Sequence, residues 1–192
     1  MAILKIARMG HPVLRAVAEP VDDPAAPEIR RLVADMLETA PDAGGTGLAA
    51  PQVHVSRRIL VFMVGEQRLT GRPLDTAQDW LTLINPVIEP LSDEIEIGWE
   101  GCLSVPGLRG AVSRWSRIRY RGIDGEGQAI DRTVEGFHAR VVQHECDHLD
   151  GILYPQRMPD LRLLQFNEEA RRFPIQLPGL ASGATSVMED VD

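Results

Sequence analysis

The stretch Gln143-His144-Glu145-Cys146-Asp147-His148-Leu149-Asp150-Gly151 limits what this chain can fold into more than any other, because it sets an H-E-x-x-H in a helical context. At about 100° per residue, His144 and His148 project about 40° apart and one turn along, so both imidazoles can reach one metal ion. Glu145 sits beside them, placed to accept a proton from water activated at that ion, which is hydrolase chemistry. Phe137, Val141, His144 and His148 fall on one face, so the histidines continue an apolar stripe that points inward. Gly136 and Gly151 bracket a helix over about 137–150.

Two helical histidines need a third ligand, and its identity separates the enzyme classes. The run from His144 to Tyr154 imitates the metzincin pattern, but Tyr154 stands where that pattern requires a third His. A downstream glutamate would have to be Glu168 or Glu169, with little chain left to position it. Cys146 is about 200° around the helix from His144 and reads as buried filler. Cys102, within Glu100-Gly101-Cys102-Leu103-Ser104, is the natural third ligand; a His2Cys site leaves a fourth position for water or substrate.

The remaining chain supplies a frame for this helix. With 192 residues, 44% of them hydrophobic, it has material for one core. Residues 1–173 read as one catalytic domain and 174–192 as a loose tail. From Pro27, residues Ile29, Leu32, Val33, Met36 and Leu37 define an amphipathic helix that should end before Pro41. The stretch 41–52 is glycine-rich yet apolar and reads as a packed loop. Residues 58–64 form a strand buried on both faces, with shorter strands at 81–84, 87–88 and 94–97 and a hairpin pairing 115–122 with 128–134. A last helix is expected over 159–173, stopped by Pro174. The sum is an α+β fold: mixed or antiparallel sheets around a central H-E-x-x-H helix, with an N-terminal and a C-terminal helix. A net charge of -8 disfavours a DNA partner, and no stretch is apolar enough to span or enter a membrane. Two cysteines suit a reducing compartment, and the opening residues are too short for a signal segment, which together point to the cytoplasm.

Three segments together resemble the peptide deformylase family: Gly45-Thr46-Gly47-Leu48-Ala49-Ala50-Pro51-Gln52, Glu100-Gly101-Cys102-Leu103-Ser104 and Gln143-His144-Glu145-Cys146-Asp147-His148. They occur in the family's order and spacing, and Gly10-His11-Pro12-Val13-Leu14-Arg15 is similar to its N-terminal pattern, so the likeness covers about residues 4–155. The resemblance implies removal of the formyl group from N-formylmethionine on peptides or nascent chains, releasing formate. It implies one divalent ion held by Cys102, His144 and His148, typically Fe2+, with Zn2+, Ni2+ or Co2+ able to substitute. Glu145 becomes general base and then acid, while the Gln52 amide and the Leu103 backbone N–H donate to the oxyanion. Gly47 would let backbone approach the substrate, and Arg109 matches a position that meets the substrate backbone. Phe137 and Val141 would wall the methionine pocket, and Thr46 stands where a branched aliphatic is usual. A ribosome contact through Arg162, Arg171 and Arg172 would follow from the substrate's origin; monomer and homodimer stay open. The competing readings are a zinc peptidase, which lacks its third helical-side ligand, and a silent relative acting as a binding module, which would carry a broken motif. The arginine-rich run 114–121 and Gly98-Trp99 receive no role.

Overall fold

The computed structural model describes residues 2–177. Pro27 begins α1 (Pro27–Asp42) at a position where its missing N–H has no intrahelical partner to lose. Ile29, Val33, Met36 and Ala40 are its buried face. The helix does not stop before Pro41 as expected. Pro41 sits in the last turn, where the lost hydrogen bond is a terminal one, and Ala43 N–H still reaches the Thr39 carbonyl at 3.0 Å.

The glycine-rich segment contains a strand, β1 (Gly47–Ala49), followed by a short 3-10 helix, Ala50–Val53. Next come β2 (Ile59–Val64) and β3 (Gln78–Pro90). Pro86 does not divide β3 into two strands: it follows a register shift between Ile84 and Val87, with Asn85 at φ 51°. A bulge is one of the few places where a sheet tolerates proline, because no ladder N–H is required there. The Asn85 side chain secures it, bonding both the N–H and the carbonyl of Val21 at 2.9 Å.

Strand β4 (Ile95–Gly101) runs longer than its sequence pattern and delivers Glu100 to the site. It pairs with β5 (Leu108–Trp115), which sequence reading did not anticipate because Arg109, Gly110 and Arg114 obscure the alternation. Trp115 thus ends β5, and the hairpin consists of β6 (Arg117–Ile123) and β7 (Ala129–Glu135). The motif helix is α2 (Gly136–Leu149). The long last helix is not formed. A 3-10 turn, Leu161–Leu163, precedes β8 (Gln165–Phe166), which pairs with the free side of β5, and only α3 (Asn167–Arg172) is α-helical. Pairing with an exposed strand edge satisfies backbone groups that a helix would have left unpaired. Leu161 and Phe166 are 67% and 62% exposed. Arg162 pairs with Asp160 and Arg172 with Glu169, so the C-terminal arginines do not form an unpaired basic face. Most of the expected loose tail, 178–192, lies outside the described residues.

Both sheets are antiparallel: β1-β2-β3-β6-β7 and β4-β5-β8. Strand β2 accounts for its unbroken apolar sequence by facing two helices. Leu60, Phe62 and Val64 pack with Ala139, Val142 and Leu149 of α2, while Ile59 and Val61 pack with Val33 and Met36 of α1. The opposite side of α2 turns toward the three-stranded sheet, and the histidines emerge there. Among the described residues no helix is long and apolar enough to cross a membrane.

Candidate active site

Successive turns of α2 present His144 and His148 with ring centroids 5.0 Å apart. Cys102 arrives from the loop after β4, its Sγ 3.3 Å from His148 Nε2. One donor atom from each of Cys102, His144 and His148 lies within 4.8 Å of the others. That spacing fits a first-row ion about 2.0–2.3 Å from each nitrogen and sulfur, and the donor set suits zinc, iron, nickel or cobalt. His144 Nδ1 lies 2.8 Å from Glu100 Oε2, which assigns the proton to Nδ1 and leaves Nε2 as the ligating atom. Tyr154, at the position a metzincin would give to histidine, stacks on the His144 ring at 6.3 Å between centroids. Cys146 is buried among the core residues on the other side of α2, its thiol pushed strongly up by burial.

Behind the ligands lies a charge network that sequence reading missed. Arg114, 5% exposed, donates from Nε and NH2 to the two oxygens of Glu100 at 2.9 and 2.8 Å, and from NH1 to Asp147. Arg140 adds a bond to Glu100 at 2.8 Å, and Arg157 one to Asp147 at 2.8 Å. Burial alone would raise the Glu100 carboxyl, but Arg114 and His144 hold it well below the usual carboxylate range. Part of this was open to detection: Glu100 stands only two residues before Cys102, so the strand that leads to the cysteine also brings a carboxylate beside it. The Arg114 partnership was not, because it depends on the pairing of β4 with β5.

Glu145 lies beside the ligands with Oε2 buried and without a hydrogen-bond partner among the described residues. Burial raises its carboxyl to about 7, with Glu100 reinforcing the shift and His144 and Arg114 opposing it. Gly47 makes this placement possible, since a Cβ there would fall inside the Glu145 carboxylate. Its smallness therefore serves Glu145, a reason that sequence reading, looking to the substrate, had not found. Gln52 is 1% exposed, and its Oε1 accepts from Ala49 N–H at 2.8 Å, which turns Nε2 toward Cys102 Sγ at 3.5 Å and Ser104 Oγ at 3.2 Å.

These groups share a cavity of about 320 Å³ whose lining includes Gln52, Cys102, Leu103, His144 and Glu145. Thr46, Gly47, Phe137 and Val141 also line it, with the Arg68 guanidinium 4.5 Å above the Phe137 ring. Arg109 does not line it; its Nε donates to Asn167 Oδ1 at 3.1 Å, and Asn167 does.

A family model described as polypeptide deformylase matches residues 3–163, which take in strands β1 to β7, helix α2 and all of this cavity's lining except Asn167. The chain belongs to the peptide deformylase family. A peptide deformylase 2 of Ralstonia nicotianae is 54% identical over 166 residues, covering 86% of this chain and 93% of that relative. A peptide deformylase 1 of Bordetella pertussis is 55% identical over 163 residues, covering 85% and 92%. The crystal structure of peptide deformylase from Ehrlichia chaffeensis superposes with a TM-score of 0.77 at 34% identity, covering 83% of this chain and 90% of that one. A class I type b peptide deformylase from Acinetobacter baumannii, solved with Met-Ala-Ser bound, gives 0.73 at 34% identity, covering 81% and 98%. The deformylase is thus an enzyme of the metal-dependent type that removes formyl groups from newly made polypeptides. Neither the peptidase nor the silent-module alternative finds support among these relatives.

Proposed function

We propose that this deformylase hydrolyses the N-terminal formamide of formylmethionyl polypeptides with Glu145 as proton carrier and Gln52 and Leu103 as oxyanion donors. Residues 1–173 act as the catalytic unit, in the cytoplasm. The observation that carries the reading is convergence: an orphaned buried carboxylate, a fixed amide donor and a Cys102-His144-His148 donor set open into one partly apolar cavity. A divalent ion held by those three residues, Fe2+ by preference, supplies Lewis acidity toward water and the formyl oxygen when bound.

The chain's own groups do the rest. Glu145, held near 7 by burial, takes a proton from the attacking water and returns it to the departing amine nitrogen as the C–N bond breaks. Gln52 Nε2 and the Leu103 N–H donate to the oxygen on which charge develops. Phe137 and Val141 form an apolar wall for the methionine side chain, and Thr46 adds a hydroxyl beside it. Strand β1 is the edge of its sheet: Thr46 O is used by Met63 N–H at 2.8 Å, which leaves the neighbouring Gly47 to turn its backbone groups outward. Such an edge can hold an extended peptide by main-chain hydrogen bonds, and the Acinetobacter baumannii relative was solved with a peptide, Met-Ala-Ser, bound.

The test is formate release from formyl-Met-Ala-Ser by protein purified anaerobically, with metal content determined on the same sample. Turnover with about one ferrous ion per chain supports the reading, and fully metallated protein without formate release rejects it. Gly47→Ala is expected to lower kcat/KM about 10²-fold or more while metal content stays near wild type, because its Cβ displaces the Glu145 carboxylate. An unchanged rate in this variant would remove Gly47 from the positioning of Glu145.

A further inference from the structure

The direction in which a substrate must leave the active site follows from β1. The formyl group reacts beside Glu145 and Gln52, hence beside Gly47. Beyond Gly47 the strand edge is closed, because the Ala49 N–H is already bonded to Gln52 Oε1 and Ala49 and Ala50 are fully buried. The accessible way out is backwards, past half-buried Thr46 and Gly45 to exposed Gly44, where the Gly45 and Gly44 N–H groups are already held by the Ala40 and Pro41 carbonyls. A peptide with its formyl end at Gly47 therefore runs opposite in direction to the segment 44–47, and at about one residue per position its fourth residue passes Gly44.

A second, larger groove of about 960 Å³ begins there. It shares the lining residues Gly44, Leu103 and Pro106 with the catalytic cavity, so the two adjoin. Its rim carries Lys5, Arg8, His11 and His54, all exposed, and Asp42 is the one acidic residue in its lining. This basic concentration stands out in a chain of net charge -8. Lys5 and Arg8 form no salt bridge with any described residue. The backbone between and beyond them is pinned to the catalytic loops: Ala7 N–H donates to Gln52 O and Met9 N–H to Ser104 O, both at 2.7 Å. The cations are thus held at a fixed place relative to the reacting end.

We propose that this groove receives the polypeptide beyond its third residue and favours acidic side chains there. The proposal rests on the deformylase reading above and adds a selectivity to it. Exposed charges at this separation from the chemistry alter encounter and binding rather than the bond-breaking step, so the effect belongs in kcat/KM at low salt and fades as salt screens it.

The experiment compares formate release from formyl-Met-Ala-Ser, formyl-Met-Ala-Ser-Asp-Asp-Ala and formyl-Met-Ala-Ser-Lys-Lys-Ala. The tripeptide, too short to reach the groove, is the internal reference. Expected is a kcat/KM about fivefold higher for the acidic than for the basic hexapeptide at low ionic strength. The preference should shrink toward unity in high salt and reverse in the Lys5→Glu/Arg8→Glu double variant. Equal rates for the two hexapeptides in the wild type, or the same preference in the double variant, would overturn the assignment. Weaker ribosome co-sedimentation of the double variant with the peptide preference intact would overturn it too, giving the rim to RNA phosphates instead. Absence of formate from all three peptides, tripeptide included, would reject the deformylase reading and the groove with it.

Discussion

Glu145→Gln should abolish most formate release, with kcat lowered by about 10²–10⁴-fold and metal content unchanged. The substitution keeps the shape of the side chain and the fit against Gly47, and it removes only the ability to take and return a proton. On the proposed mechanism the same carboxyl serves the attack and the departure of the amine, so the upper part of that range is expected. Thermal stability should not fall. A buried carboxyl raised to about 7 is disfavoured in its charged form, and a neutral amide of the same size avoids that cost. Formate release, metal analysis and thermal unfolding on one preparation separate the possibilities. A rate near wild type would remove Glu145 from the chemistry; a loss of metal together with rate would show instead that the substitution disturbed the ligands.

The residues that could be read from sequence are those whose chemistry is carried by local spacing. His144 and His148 declare themselves because a helix repeats every 3.6 residues, and Glu145 comes with them. Strand β2 was visible as an apolar run, and its two-sided burial between α1 and α2 gives the reason. What stayed hidden depends on contacts between distant segments. Strand β5 was masked by Arg109 and Arg114, whose charges are satisfied by Asn167 and by Glu100 with Asp147, partners 58, 14 and 33 residues away. The C-terminal helix was overestimated because periodicity cannot register the open edge of β5 that recruits Gln165 and Phe166. Pro41 and Pro86 were read as stops, yet one lies in a terminal turn and the other beside a bulge, both places where a missing N–H is tolerated. Gly47 was recognised as significant for an incomplete reason, since the position of Glu145 relative to β1 is a tertiary fact.

Arg114→Met is expected to be the most destabilising of the substitutions considered, although Arg114 itself belongs neither to the Cys102-His144-His148 set nor to the cavity lining. Its guanidinium is the counter-charge for two buried carboxylates, and removing it leaves Glu100 with Arg140 and His144, and Asp147 with Arg157 alone. Breaking a buried pair by deleting one partner costs about 3–5 kcal/mol. For a chain of this size that lowers Tm by roughly 6–20 °C. Glu100 also orients His144, so metal affinity should drop by about 10–100-fold, as for other outer-shell partners of metal-bound histidines. Combining Arg114→Met with Glu100→Gln distinguishes a charge penalty from lost packing. If uncompensated charge is the cause, the second substitution should restore part of the lost stability in metal-free protein while leaving metal affinity low, because the amide is a poorer acceptor for His144 Nδ1–H. Thermal unfolding of the metal-free proteins and metal titration of each variant provide both readings. A Tm within about 2 °C of wild type for Arg114→Met would mean that Arg140 and Arg157 balance the two carboxylates unaided, and that Arg114 is dispensable to the support of the metal-binding helix.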